Sequence, residues 1–171
     1  MMFLISGGNG SGKSVYAEKL AATIDLPRYY IATMVSQNEE NEARIEKHRR
    51  QRAGLGFHTI ECPCYVSRAE VPTNALVLLE DASNLLANMV FMEHGSKENA
   101  LGEILRVRDQ CSQLIVVTIS GMPEDEYDGE TAEYIRAMNW LNQQLFLEAD
   151  VAVEMVDGQP VSRKVNWNGI T

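Results

Sequence analysis

The chain has 171 residues, 45% of them hydrophobic and 23% charged, enough for one compact core and ordinary for a globular protein. Its 15 basic residues against 24 acidic ones leave a net charge of −9. That excludes general nucleic-acid binding, because counterion release needs a basic surface.

No stretch approaches the roughly 20 apolar residues of a membrane span. The run Met1–Ile5 is too short for a secretion signal and lacks a basic flank. Cys62, Cys64 and Cys111 make neither a disulfide framework nor a zinc spacing and read as buried or incidental thiols. A cytoplasmic protein is expected.

In chain order, Phe3–Ser6 reads as a short buried strand broken by the glycines after it. Ser14–Thr23 follows as a helix, with Val15, Leu20 and Ile24 able to face a core. Tyr29–Thr33 is a second strand, and Asn38–Arg52 a strongly charged helix. Phe57–Glu61 is a strand with Phe57, Thr59 and Glu61 on one face. The unbroken apolar run Ala75–Leu79, ending in Glu80-Asp81, has the pattern of a buried parallel strand.

Leu85–Met92 is an apolar helix, and Ser96 caps another that reaches Cys111. Leu114–Thr118 is a second buried strand, and Gly121–Gly129 an acidic loop. Thr131–Ala149 is a helix with Tyr134, Met138, Leu141 and Leu145 on one stripe. Val151–Val156 and Val161–Val165 form a hairpin turning at Asp157-Gly158. Strands alternating with helices predict an α/β fold, a mostly parallel sheet with helices on both faces and a C-terminal β-hairpin. With no repeat or linker, residues 1–171 are expected to form a single domain.

The segment Gly7, Gly8, Asn9, Gly10, Ser11, Gly12, Lys13, Ser14 fits G-x-x-x-x-G-K-[ST] at every fixed position, between a strand and a helix. Glycines let successive N–H groups turn into one concavity that holds an anion, and the helix start adds partial positive charge. Lys13 is predicted to reach the β- and γ-phosphates of ATP or GTP, and the Ser14 hydroxyl to ligate Mg²⁺. The fold is therefore P-loop NTPase-like.

A carboxylate at the C-terminal end of the Ala75–Leu79 strand falls on the ligand side of such a sheet. Glu80 is the first choice for the Mg²⁺ shell and Asp81 the second. The alternative for Asp81 is the N-cap of the Ala82–Met92 helix.

Glu39–Arg52 is acidic first and basic last, as the helix dipole favours, but offers only Ala43 and Ile45 as apolar surface. A helix polar nearly all round needs a ligand, a neighbouring subunit or mobility. Arg44, His48 and Arg52 share one face at i, i+4 and i+8. Cations bias His48 toward its neutral, nucleophilic form, and arginines grip phosphate. Spacing alone leaves both a surface and a catalytic histidine open.

Taken together, several segments resemble the bifunctional adenosylcobinamide kinase / adenosylcobinamide-phosphate guanylyltransferase family. They are Gly7-Gly8-x-x-Ser11-Gly12-Lys13-Ser14, Tyr30-Ile31-Ala32-Thr33, Ala43-Arg44-Ile45-x-x-His48 with Arg52, and Phe57-x-Thr59-x-Glu61. Leu78-Leu79-Glu80, Asn88, Asn142-Gln143 and Ala149-Asp150 follow in the family's order.

The resemblance implies phosphorylation of the aminopropanol hydroxyl of adenosylcobinamide, a corrinoid, by a nucleoside triphosphate. GMP then passes from GTP through a histidine, matched by His48, to give adenosylcobinamide-GDP. It also implies nucleotide contacts by Arg44, Arg52 and Glu61, and a homotrimer.

Three positions depart from the family's pattern. Ile119-Ser120-Gly121-Met122 stands where an Asn-Glu-Val-Gly-like segment is usual. Ile135-Arg136 replaces an Arg-Asp pair, and Asp81 a common cysteine. Two other readings remain open at this level: a small-molecule kinase of the same fold, and a nucleotide-dependent regulatory or scaffold protein.

Overall fold

The computed structural model describes residues 1–166; the last five residues of the expected domain lie outside them. The elements run β1 (Met2–Gly7), α1 (Lys13–Ala22), β2 (Arg28–Ala32), α2 (Glu39–Arg52), β3 (Phe57–Glu61) and β4 (Leu76–Glu80). They continue as α3 (Ala82–Phe91), α4 (Lys97–Gln110), β5 (Gln113–Ile119), α5 (Gly129–Glu148), β6 (Val151–Val156) and β7 (Gln159–Val165). All seven strands join one sheet in the order β3-β2-β4-β5-β1-β6-β7. Every pairing is parallel except β6 with β7. That hairpin turns where Asp157 and Gly158 both take positive φ, as a two-residue turn between right-twisted strands requires.

Strand periodicity splits the core in two. Met2, Leu4, Val77, Leu79, Leu114 and Val116 face α3, α4 and α5. Their neighbours Ile5, Leu76, Leu78, Ile115 and Val117 face α1 on the other side. The central strands are thus buried on both faces, which is why their sequences are continuously apolar rather than alternating. No helix among the described residues is long and apolar enough to cross a membrane.

Three details differ from the sequence expectation. Val15 is exposed, and α1 instead buries Ala17, Glu18 and Ala21. Gly12, at φ 87, starts this helix directly from the loop, so the loop rather than the apolar pattern sets its rotation about its axis. On α5 the buried stripe is Ala132, Ile135, Met138, Leu141 and Leu145, with Tyr134 at its half-buried margin. An unanticipated 3₁₀ turn, Val66–Arg68, buries Val66 fully. It is tied to α4 where the Ser67 N–H donates to Glu103 and the Gln110 amide to the Ser67 carbonyl, each at 2.9 Å.

The register places the chemistry. Gly7 pairs with Ile119 and Glu80 with Val117, so the ends of β1, β5 and β4 lie side by side on one edge. Thr33, fully buried just past β2, staples this edge. Its hydroxyl lies 2.9 Å from the Glu80 carbonyl and accepts the Asp81 N–H at 2.9 Å. Asn88 of α3 donates to the carbonyls of Thr33 at 2.8 Å and Pro63 at 2.9 Å. Asn142 of α5 accepts from the Thr118 hydroxyl at 2.6 Å and donates to the Ile119 carbonyl at 2.8 Å.

These polar residues satisfy backbone groups where the strands stop, which would otherwise be left buried and unpaired. Replacing Thr33→Val keeps the shape and strands the Asp81 N–H, so it should lower unfolding free energy by about 1–3 kcal/mol. Urea denaturation of both proteins measures this directly.

Candidate active site

The phosphate loop leaves β1 at Gly7, where a side chain would be crowded and would force its neighbours to shift. A Cβ there would collide with the Ser11 hydroxyl and sit 3.0 Å from the Met155 carbonyl oxygen of β6. At the far end Gly12 occupies the left-handed region, open to glycine without penalty. Lys13 folds back so that its Nζ donates to the Gly8 carbonyl at 3.2 Å. Across β5, the Ser14 hydroxyl donates to Oε1 of Glu80.

Glu80 is buried, and its second oxygen has no hydrogen-bond partner. Burial foremost, then the nearby charges of Asp81 and Glu18, push its carboxyl up to about 8, against the opposing pull of Ser14 and Lys13. Asp81 is the N-cap of α3: its Oδ1 accepts the Asn84 N–H at 2.7 Å and the Ser83 hydroxyl at 2.6 Å. The capping reading of Asp81 is thus realised, and the residue also borders the cavity above the loop.

A cavity of about 650 Å³ opens above the loop. Its floor is Asn9, Gly10, Ser11, Gly12, Lys13 and Ser14. Glu80 and Asp81 border it, while α2 contributes Arg44, Lys47, His48 and Gln51. A second cavity of about 490 Å³ lies beyond His48, bounded by Tyr30, Met34, Arg49, Arg52 and Glu61. His48, Glu80, Asp81 and Asn84 line both.

His48 therefore stands in a shared wall, with Nδ1 buried and unpartnered. Burial first and then the Arg44 charge hold its imidazole below its ordinary value. Arg52 and Lys47 act in the same direction, and Asp81 opposes them. The ring is neutral at pH 7, the form that carries a free lone pair.

The predicted site residues do not all meet in one place. Gly7 and Gly8 shape the loop, while Asn9 through Ser14, Arg44, His48 and Glu80 surround the phosphate cavity. Arg52 and Glu61 bound the second cavity instead. Arg52 is buried with its guanidinium 3.9 Å from the Tyr30 ring centre and Nε 3.3 Å from the Thr59 hydroxyl. Glu61 is exposed and paired with Arg49 at 2.7 Å. Arg44, His48 and Arg52 share a face, yet Arg44 lines the first cavity, Arg52 the second, and His48 both.

Sequence reasoning missed Lys47, Gln51, Asn84 and Tyr134 as cavity residues, whereas the departing segment Ile119–Met122 was placed near substrate or a subunit contact. The position of that segment at a strand end points the same way.

Attachment of α2 is weak by comparison with its neighbours. Arg52 is its only buried residue, whereas α4 buries Ala100, Ile104 and Val107, each larger aliphatic contributing about 1.5–3 kcal/mol. Its remaining anchors are the Gln51 amide donating to buried Glu18 at 2.7 Å and the exposed Arg49–Glu61 pair, the latter contributing about 0–1 kcal/mol. Backbone amides of Glu42–His48 should exchange with deuterium far faster than those of Ile104–Val107, as hydrogen-exchange mass spectrometry reads out.

Parallel strands, the loop from Gly7 to Ser14 and a carboxylate one strand removed define a P-loop protein. In accord with this, the fold is similar to a solved ATPase domain (TM-score 0.55, 11% identity, covering 96% of this chain and 77% of the other). It is also similar to a structure from Pyrococcus horikoshii OT3 (TM-score 0.53, 10% identity, covering 96% and 86%).

The chain belongs to the cobinamide kinase / cobinamide phosphate guanyltransferase family, whose sequence profile matches residues 3–163. The bifunctional adenosylcobalamin biosynthesis protein CobU of Escherichia coli is 36% identical over 101 residues, 57% of this chain and 55% of the relative. The CobU of Salmonella typhimurium gives 33% over 102 residues, with the same coverage. The chain thus matches about half the length of these two relatives. CobP of Pseudomonas aeruginosa is 27% identical over 170 residues, 96% of this chain and 98% of the relative.

The raised carboxyl of Glu80 has a consequence for stability. An unfolded chain releases that proton near its ordinary value of 4.5, the folded chain only near 8. The unfolded state therefore binds fewer protons between these limits, and stability falls as pH rises through them. In metal-free protein the melting temperature should fall more steeply from pH 5 to pH 8 than in Glu80→Gln, which scanning calorimetry tests.

Proposed function

We propose that this chain phosphorylates the side-arm hydroxyl of adenosylcobinamide with ATP or GTP and then transfers GMP from GTP to that phosphate through His48, yielding adenosylcobinamide-GDP. Family membership supports the reading. The observation that carries it is His48 itself, neutral and with an orphaned Nδ1, in the wall between a phosphate cavity and a second one.

In the first transfer the acceptor hydroxyl oxygen bonds to the γ-phosphorus. The bond to the β,γ-bridging oxygen breaks, the nucleoside diphosphate leaves, and the hydroxyl proton passes to solvent. Loop N–H groups and Lys13 hold the phosphates in line. In the second, the unprotonated imidazole nitrogen bonds to the α-phosphorus of GTP and pyrophosphate departs. The acceptor's phosphate oxygen then takes the same phosphorus, the N–P bond breaks, and imidazole is restored. Arg44 and Lys47, in the same cavity as His48, offset the charge that gathers on phosphate oxygens during both steps.

Mg²⁺ fits the residues present. Ser14 and Glu80 are hard oxygen donors, and the unpartnered Oε2 of Glu80 is a buried acceptor in want of a cation. One carboxylate and one hydroxyl, completed by phosphates and water, is a donor set Mg²⁺ commonly takes. When bound, it supplies neutralisation of β- and γ-phosphate charge. The family reading also carries a homotrimer, and the nearly all-polar α2 is consistent with a subunit or ligand covering part of it.

GTP labelled at the α-phosphate tests the histidine. Wild-type protein with Mg²⁺ should retain label after denaturation in an acid-labile, base-stable bond, and His48→Ala should retain none while still phosphorylating the acceptor. The labelling rate should stay flat above about pH 6.5 and fall below it, because the depressed imidazole protonates only there. Absence of label from wild type with bound GTP would reduce the activity to the kinase step. A kinase confined to that step is the reading favoured if the departures at Ile119–Met122, which border the phosphate cavity, have removed the second transfer.

A further inference from the structure

One wall of the phosphate cavity plays no part in the steps above. It consists of Ile119 at the end of β5, Met122 in the loop after it, and Tyr134 on α5. This wall is held firmly. The Asn139 amide of α5 donates to the Met122 carbonyl at 3.3 Å and to the Glu124 carboxylate at 3.0 Å. The Tyr134 hydroxyl donates to the Ser83 carbonyl at 2.9 Å, joining α5 to α3. An apolar surface pinned by three elements is pre-formed for a ligand.

Charge around the cavity is graded. The α2 side brings Arg44 and Lys47 together with Glu40, a net positive contribution. Past Met122 the chain runs through Glu124, Asp125, Glu126, Asp128, Glu130 and Glu133, with no lysine or arginine from 123 to 135. That acidic stretch disfavours a second polyphosphate on the apolar wall and favours an uncharged or cationic molecule. Asn84 reaches the same cavity, and its carboxamide makes no hydrogen bond among the described residues. The volume of about 650 Å³ is shared with a triphosphate on the floor, so only an arm of a large acceptor enters.

We propose that Ile119, Met122 and Tyr134 form the acceptor subsite of the phosphoryl transfer, seating a short apolar arm of an uncharged or cationic alcohol. The Asn84 carboxamide hydrogen-bonds the hydroxyl that this arm carries toward the phosphate floor. The assignment rests on the transferase reading above, and two of its residues, Ile119 and Met122, lie in a segment where this chain departs from the family's pattern.

Steady-state kinetics with ATP and adenosylcobinamide test it on the full chain. Met122→Ala should raise the acceptor KM about tenfold while the nucleotide KM stays within about twofold, and Met122→Leu should restore the acceptor KM. Asn84→Ala should lower kcat about tenfold through loss of hydroxyl orientation. An unchanged acceptor KM in Met122→Ala, or an equal rise in both KM values, would overturn the subsite and leave the transferase reading standing. If wild-type protein binds a fluorescent ATP analogue but transfers nothing to adenosylcobinamide, the transferase reading falls and the subsite falls with it.

Discussion

A buried carboxylate held against the phosphate loop organises this molecule. Glu80 reaches across β5 to the hydroxyl of Ser14, and its second oxygen has no partner among the described residues. Backbone groups around it are paired by side chains where the strands stop. Thr33, Asn88 and Asn142 supply that pairing at the ends of β2, β4 and β5. The cost of an under-satisfied carboxylate near two others is borne by a core whose central strands are buried on both faces. The site is thus a strained polar spot on a stable apolar sheet, suited to polyphosphate and cation.

Helix α2 follows a different logic. It carries His48 and most of the site's positive charge, yet only its last turn is anchored, through Gln51 on Glu18 and Arg52 on Tyr30. Five cations lie between Arg44 and Arg52, and like charges this close repel one another. Sequence charge and weak packing are therefore one property: a helix this polar has almost no apolar surface with which to anchor itself. Its last turn closes the second cavity, so one histidine borders two chambers.

Much of the fold was legible from one dimension. The strands Phe57–Glu61 and Val151–Val156 match the structure end to end, and the remaining elements differ from expectation by a few residues at their ends. Period-2 and period-3.6 patterning is written locally, and so are the caps at Asn38, Asp81 and Ser96. Misreadings arose where a residue's surroundings come from elsewhere in the chain. Val15 was expected in the core because its spacing suits a helix face, but the loop fixes the helix rotation. Arg52 shares a helix face with Arg44, but contacts with Tyr30 and Thr59 of neighbouring strands set it at the second cavity.

The sequence by itself determined the phosphate loop, the alternation of strands and helices, the carboxylate at the end of β4 and the face that carries His48. Each depends on residues within about one helical turn or one strand of each other, so spacing suffices. Only the tertiary structure decided that β5 lies between β1 and β4 and that Glu80 is buried opposite Ser14. It also decided that Ile119, Met122 and Tyr134 share a cavity with Lys13. Those relations join residues tens to more than a hundred positions apart, and they arise from the order in which parallel strands pack, which no local pattern encodes.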